Sequence, residues 1–304
     1  MRALLDPALA TRYPRSFLVL LCLMLWTPGF FSIPPTDRDE SRFAQATKQM
    51  LETGDYVRIE NGREARNRKP IGIYWLQVPA AAAAHELGLA TANPIWPYRV
   101  PSALGATFAV LATFLCWRRA IGDEAALFAA AMLAASVILA VEHMLAKTDA
   151  VLLAVTTVAM SLLGRAYLCG SLSRYDAAGF WLACGAGILI KGPVTPAVAA
   201  LTVGSLAIVD RRAPWLPALR PGTGVLLVII MVLPWSLAIG LATHGRFFSE
   251  AVGGDFGSKL AGGSEQHGAP PGVHLLLLPL LIFPSTIPAL LSIPAAWRER
   301  ATRR

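Results

Sequence analysis

Arginine falls in short groups between long apolar runs in this sequence: Arg12 and Arg15, Arg118-Arg119, Arg165 and Arg174, Arg211-Arg212 with Arg220, and a tail with Arg298, Arg300, Arg303 and Arg304. That alternation is the pattern of a polytopic membrane protein whose cationic loops stay in the cytoplasm. Composition agrees, because 55% of the 304 residues are hydrophobic and only 15% charged, with mean hydropathy +0.53. A soluble domain carries about a quarter charged residues. The net charge of +8 is therefore read as a positive-inside bias, and binding of nucleic acid is not expected. Cys22, Cys116, Cys169 and Cys184 lie within apolar runs or on the cytoplasmic side, and they imply no disulfide framework.

The fold class expected is an all-α polytopic bundle of about eight spans with both termini cytoplasmic. Spans are expected at residues 17–33, 97–117, 125–141 and 149–168, then two short helices across 177–209, then 222–242 and 273–293. The run 71–84 is too short for the ~20 residues a crossing needs, and it contains Pro79. If it crossed, the later arginine groups would move outside, so it is read as interfacial or re-entrant. Three places then face outward: the first loop (34–96), the turn 142–149, and the glycine-rich loop 243–272. Lys191, at the break between the two short helices, joins them.

The first loop opens with Pro34-Pro35-Thr36-Asp37-Arg38-Asp39-Glu40. Proline ends the preceding helix, and the acids begin a new one. Asp37 with Glu40 three residues later has capping-box spacing, which accounts for both. Asp39 has no capping duty, and the helix dipole favours its charge in the first turn. Phe43, Thr47, Met50 and Leu51 share one face of this helix, opposite Arg42, Gln45, Lys48 and Gln49, the pattern of a helix in a membrane surface.

Charges kept near membrane depth usually have a partner or a task. Lys147-Thr148-Asp149 reads as a helix cap. It also reads as a second carboxylate facing Asp39, a pair suited to activating a hydroxyl or holding a divalent metal ion. Arg66-Asn67-Arg68-Lys69-Pro70 before Tyr74-Trp75 reads as interface anchors, or as a cationic cluster at headgroup depth for a lipid phosphate. Lys191 is either a snorkelling lysine or a second phosphate contact. The outer loop, with Phe247-Phe248 and Glu265-Gln266-His267, is a flexible connection or a lid.

Six runs carry a resemblance: Pro-Pro-x-Asp-x-Asp-Glu-x-Arg-Phe-Ala from Pro34, Arg-Lys-Pro-x-x-x-Tyr-Trp from Arg68, Lys147-Thr148-Asp149, Ile190-Lys191-Gly192-Pro193, Leu233-Pro234-Trp235, and Gln266-His267-Gly268-Ala269-Pro270. Together they resemble the lipid A aminoarabinose transferases, GT-C glycosyltransferases related to the dolichyl-phosphate-mannose protein mannosyltransferases. The resemblance implies a membrane glycosyltransferase domain across residues 1–304, with the family's C-terminal part absent. It also implies transfer of a sugar from an undecaprenyl-phosphate carrier to an acceptor at the periplasmic face of the inner membrane. The family's acidic pair matches Asp39 and Glu40, its second acid Asp149, and its phosphate-contacting lysine Lys69. Lys191 and His267 match positions lining the cavity. Arg68 departs from the aminoarabinose transferases, which carry an acid before Lys-Pro, so that sugar, that acceptor and a metal site using that acid are not carried over.

The expectation is an inverting glycosyltransferase. Lys69 and Lys191, with Arg66 and Arg68, would hold the carrier phosphate. Asp39, assisted by Asp149, would orient or deprotonate the acceptor, with Tyr74, Trp75 and His267 in the substrate cavity. The rival readings are a transporter or lipid flippase, since intramembrane charges and broken helices also mark transport paths, and an inactive membrane scaffold. Against transport, the charges concentrate on one face and no inverted repeat is visible.

Overall fold

A computed structural model describes residues 7–67, 69–90, 93–251 and 272–299. Two short helices, α1 (Pro7–Arg12) and α2 (Pro14–Trp26), precede α3 (Arg38–Thr53) and α4 (Gly72–Glu86). Between α3 and α4 lies a small antiparallel ribbon, β1 (Glu60–Asn61) with β2 (Glu64–Ala65). The bundle follows as α5 (Trp96–Ile121), α6 (Asp123–Ala134), α7 (Val137–Glu142), α8 (Asp149–Cys169), α9 (Arg174–Lys191) and α10 (Val194–Asp210). A 3-10 turn (Leu216–Leu219), α11 (Pro221–Ala242), α12 (Arg246–Glu250), α13 (Val273–Leu281) and α14 (Thr286–Glu299) complete it.

Among the described residues, the helices do not confirm eight full spans. Three are long and apolar enough to cross a membrane: α5, α8 and the continuous 3-10 turn with α11. A fourth is added if α13 and α14, bent by 117°, count as one. The first expected span yields only the 13-residue α2, because Thr27-Pro28-Gly29 ends the helix before Pro34-Pro35 is reached. The run 125–141 is split between α6 and α7. The N–H of Val137 at the break donates to Phe283 O, and the Ser285 hydroxyl to Met132 O, so the bent C-terminal pair docks on the interruption. The split of 177–209 at Lys191-Gly192-Pro193 is as expected. Helix α4 is 15 residues long, contains Pro79 and packs on α3, α5 and α9.

Close backbone approach sets the packing that matters for the site. A Cβ on Gly72 would stand 2.7 Å from Leu189 O, so α4 can touch the end of α9 only with glycine there. A Cβ on Gly105 would stand 2.9 Å from the Cα of Val151, which draws α5 against α8. Around these contacts Phe43, Met50, Ile73, Leu152, Ile190 and Trp235 join α3, α4, α8, α9 and α11 in one apolar core.

Candidate active site

Helix α3 begins as its sequence dictates. The Asp37 side chain accepts from the N–H of Asp39 (2.7 Å), and Glu40 reaches back to the N–H of Thr36 (3.2 Å). Gly54, with φ of 71°, ends the helix in the left-handed region. Phe43, Thr47 and Met50 turn inward onto α4 and the bundle.

Glu40 does much more than cap. It and Arg99 have no exposed side-chain surface, and Arg99 Nε lies 2.7 Å from Glu40 Oε1. Arg99 also donates to the carbonyls of Phe30, Ile33 and Pro34, and the N–H of Ala146 donates to Glu40 Oε1 (3.1 Å). Buried Gln77 makes a second knot: it accepts from the Thr47 hydroxyl (2.6 Å) and donates to the carbonyls of Tyr98 and Ala146. The Ser102 hydroxyl donates to Lys147 O. These bonds satisfy one another's buried polar groups, and they pin the segment between α7 and α8 against α3 and α5. The sequence shows the acids of this region but not Arg99, whose position inside an apolar span was its one signal.

Above the knots lies a partly exposed rim of ion pairs. Lys147 Nζ meets Asp37 Oδ2 at 2.7 Å. Lys191 meets Asp149, and Asp39 lies 3.4 Å from Arg42 and 3.5 Å from Arg66. Asp39 and Asp149 therefore each face cations of their own, and the expected pairing of these two carboxylates with each other is not what the contacts show. Among the described residues, no group of three or more His, Cys, Asp or Glu converges as a metal site would require. The Lys147 hydrogen bond holds the Asp37 carboxyl below the usual carboxylate range, with burial opposing. For Lys147 burial acts against the charge, but the hydrogen bond to Asp37 and the charges of Glu142, Asp37 and Asp149 outweigh it and raise its pKa.

The basic loop before α4 joins this rim. The Arg66 guanidinium stacks 4.7 Å over the Phe43 ring. Tyr74 is fully buried beside it, 5.4 Å from Phe43 between ring centroids, and among the described residues neither the Tyr74 hydroxyl nor Arg66 Nε closes a well-formed hydrogen bond. Burial raises the Tyr74 pKa, with Arg66 only partly offsetting it. Trp75 is 42% exposed, and its indole N–H donates to Tyr56 O, which makes it a fastener of the loop. Asn67 donates to Glu250 on α12 (3.1 Å), tying the basic loop to the start of the outer loop. Lys69 is half-buried three residues before Gly72. Arg68, His267 and the 252–271 loop lie outside the described residues.

Comparison with known proteins gives a consistent picture. Residues 69–237 match the family described as dolichyl-phosphate-mannose-protein mannosyltransferase. The undecaprenyl phosphate-alpha-4-amino-4-deoxy-L-arabinose arabinosyl transferase 1 of Pseudomonas fluorescens is 29% identical over 275 residues, covering 86% of this chain and 47% of its own. The corresponding enzyme of Yersinia enterocolitica is 27% identical, covering 92% and 48%. The crystal structure of ArnT from Cupriavidus metallidurans bound to undecaprenyl phosphate superposes with TM-score 0.80 at 20% identity, over 93% of this chain and 50% of that one. Its apo form gives 0.78. The fold is shared with these structures, and the chain spans about half the length of the curated relatives it matches.

Proposed function

Because the chain belongs to the dolichyl-phosphate-mannose-protein mannosyltransferase family, we propose that it is an inverting glycosyltransferase. It would move a sugar from a polyprenyl-phosphate carrier to a lipid or other envelope acceptor at the periplasmic face of the inner membrane. The observation that carries this reading is the α4–α9 contact. Gly72 lies three residues after Lys69, and Leu189, whose carbonyl it approaches, lies two before Lys191. The contact brings together the chain segments that carry these two cations, and Lys191 there meets Asp149. A polyprenyl-phosphate donor, the class named for the relatives, asks for that arrangement. Negative charge grows on the carrier phosphate as the glycosidic bond breaks, and pre-placed cations stabilise it.

In this reading Lys69, Lys191, Arg66 and Arg68 compensate the phosphate. Each lysine ammonium carries three donors, and Asp149 engages Lys191 without exhausting them. Asp149 aims Lys191, and Asp39, held by Arg42 and Arg66, orients the acceptor. Glu40 supports the site through Arg99 and the segment before α8, while Tyr74, Trp75 and His267 belong to the substrate cavity. The orientation follows from the arginine groups: the rim faces the periplasm, and both termini the cytoplasm.

The test is transfer from a defined polyprenyl-phosphate sugar by protein in nanodiscs, with donor binding measured separately. Wild type should transfer, and Lys69→Ala should weaken donor binding while the fold is retained. Wild-type transfer unaffected by any change at Lys69, Lys191, Asp39 or Asp149 would place the chemistry elsewhere.

A further inference from the structure

Glu142, the last residue of α7, belongs to none of the ion pairs of the rim. Among the described residues, its buried Oε2 has no hydrogen-bond partner. The ammoniums of Lys147 and Lys191 act on it electrostatically, yet each is in contact with another carboxylate, Asp37 and Asp149 respectively. A buried carboxylate oxygen left without a donor is costly, and in a native structure it asks for a reason.

We infer that Glu142 is the general base of the transfer, and therefore that the acceptor presents a hydroxyl and not an ionised phosphate. This rests on the reading of the chain as a polyprenyl-phosphate-dependent transferase. Geometry carries it first. Glu142 opens the segment that ends at Asp149, and that segment is held by Ala146 on Glu40, Gln77 on Ala146 O and Ser102 on Lys147 O. Those bonds hold Ala146 and Lys147, so the far end of the segment that Glu142 opens is fixed against α3, α4 and α5. Division of labour carries it second. Asp37, Asp39 and Asp149 each face a cation, so Glu142 is the carboxylate of this cluster free to take a proton.

Electrostatics agrees. Burial, then Asp149, push the Glu142 carboxyl up, with Asp37 adding and Lys147 and Lys191 opposing. Asp37 moves the other way. Neighbouring carboxyls driven apart in this manner are the usual mark of divided acid and base roles. His143, next in the chain, is turned away: its ring stacks on Trp26 at 5.0 Å, with Nε2 3.1 Å from Trp26 O.

In the step itself, the acceptor oxygen bonds to the anomeric carbon as the bond from that carbon to the carrier-phosphate oxygen breaks. The bonding pair leaves with the phosphate. The hydroxyl proton passes to Glu142 and from there to water, so nothing is oxidised or reduced.

The experiment compares wild type, Glu142→Gln and Glu142→Asp in nanodiscs with one polyprenyl-phosphate sugar and two lipid acceptors, one ending in a hydroxyl and one in a phosphate monoester. Infrared difference spectra between wild type and Glu142→Gln are recorded through a pH titration. On the hydroxyl acceptor, Glu142→Gln should lower kcat by about 10²- to 10⁴-fold, with unchanged donor affinity and unchanged thermal unfolding. It should also remove the rise of rate with pH, and Glu142→Asp should recover part of the rate. On the phosphate acceptor, wherever wild type uses it, Glu142→Gln should match wild type, since an ionised nucleophile needs no base. The spectra should show a protonated-carboxyl band that titrates above the usual carboxylate range and is missing in Glu142→Gln. Full activity of Glu142→Gln on the hydroxyl acceptor, equal loss on both acceptors, wild-type use of the phosphate acceptor alone, or absence of the band would each overturn the assignment. A wild type that transfers to neither acceptor would overturn the transferase reading, and the base with it, even if the band were present.

Discussion

Adjacent carboxylates on α3 serve two different layers of the molecule. Glu40 lies in the inner layer, where it and Arg99 have no exposed side-chain surface. Asp39, one residue earlier, stands in the outer rim with its side chain 49% exposed, between Arg42 and Arg66. Both are acids in the first turn of one helix, so local chemistry does not separate them. Burial does. In the inner layer a charge is tolerable only when every lone pair is met, and the pair becomes a joint for four chain segments. In the rim, water screens each pair, so the contacts are weak and free to exchange with a substrate.

The strongest way to break this comparison is Glu40→Ala. It leaves the Arg99 guanidinium buried without its carboxylate, and unfolding in detergent should show a loss of about 3–5 kcal/mol. A stable Glu40→Ala protein with abolished transfer would move Glu40 from the joint to the chemistry. Next in size is Lys191→Met, which should leave stability nearly unchanged but lower kcat by about 10²- to 10³-fold, the range seen when one preorganised donor to a developing negative charge is removed. Transfer kinetics and a thermal melt on the same sample separate the two layers directly.

Gly72→Ala sharpens the comparison from the side of packing. The added Cβ would press on Leu189 O at 2.7 Å, so α4 must move off α9 at a cost of about 1–3 kcal/mol. In the proposed reading that contact brings the segments carrying Lys69 and Lys191 together, so donor affinity should fall with it. Retained affinity would mean that the two cations do not act together.

The smallest expected effect is Asp37→Asn. An amide can still cap α3, and the lost contact with Lys147 is a partly exposed pair worth about 0–1 kcal/mol. Its pH dependence has a definite sign. The folded-state pKa of Asp37 is lowered, so its contribution is present above the unfolded value of about 3.9 and fades as pH falls through the folded one. The difference in stability between wild type and Asp37→Asn should therefore shrink on acidification. A difference that grows would show that Lys147 is not its partner.

The sequence by itself determined the membrane class, the start of α3, the brevity of α4, the break at Lys191-Gly192-Pro193 and the family. Each rests on local rules: apolar run length, proline and glycine punctuation, capping spacing, and the order of short motifs. What only the tertiary structure decided is which charge meets which. Asp37 and Glu40 read as caps because capping is local, and their partners Lys147 and Arg99 lie far along the chain. Asp149 was read toward Asp39 but faces Lys191. Eight full spans are not confirmed among the described residues, because hydropathy registers an apolar run whether or not its helix is broken: α6 stops before α7, and α13 bends by 117° into α14. Glu142 was invisible as a site residue because an acid at the end of an apolar run reads as an ordinary boundary. Its buried oxygen, without a hydrogen-bond partner among the described residues, shows only in the tertiary structure.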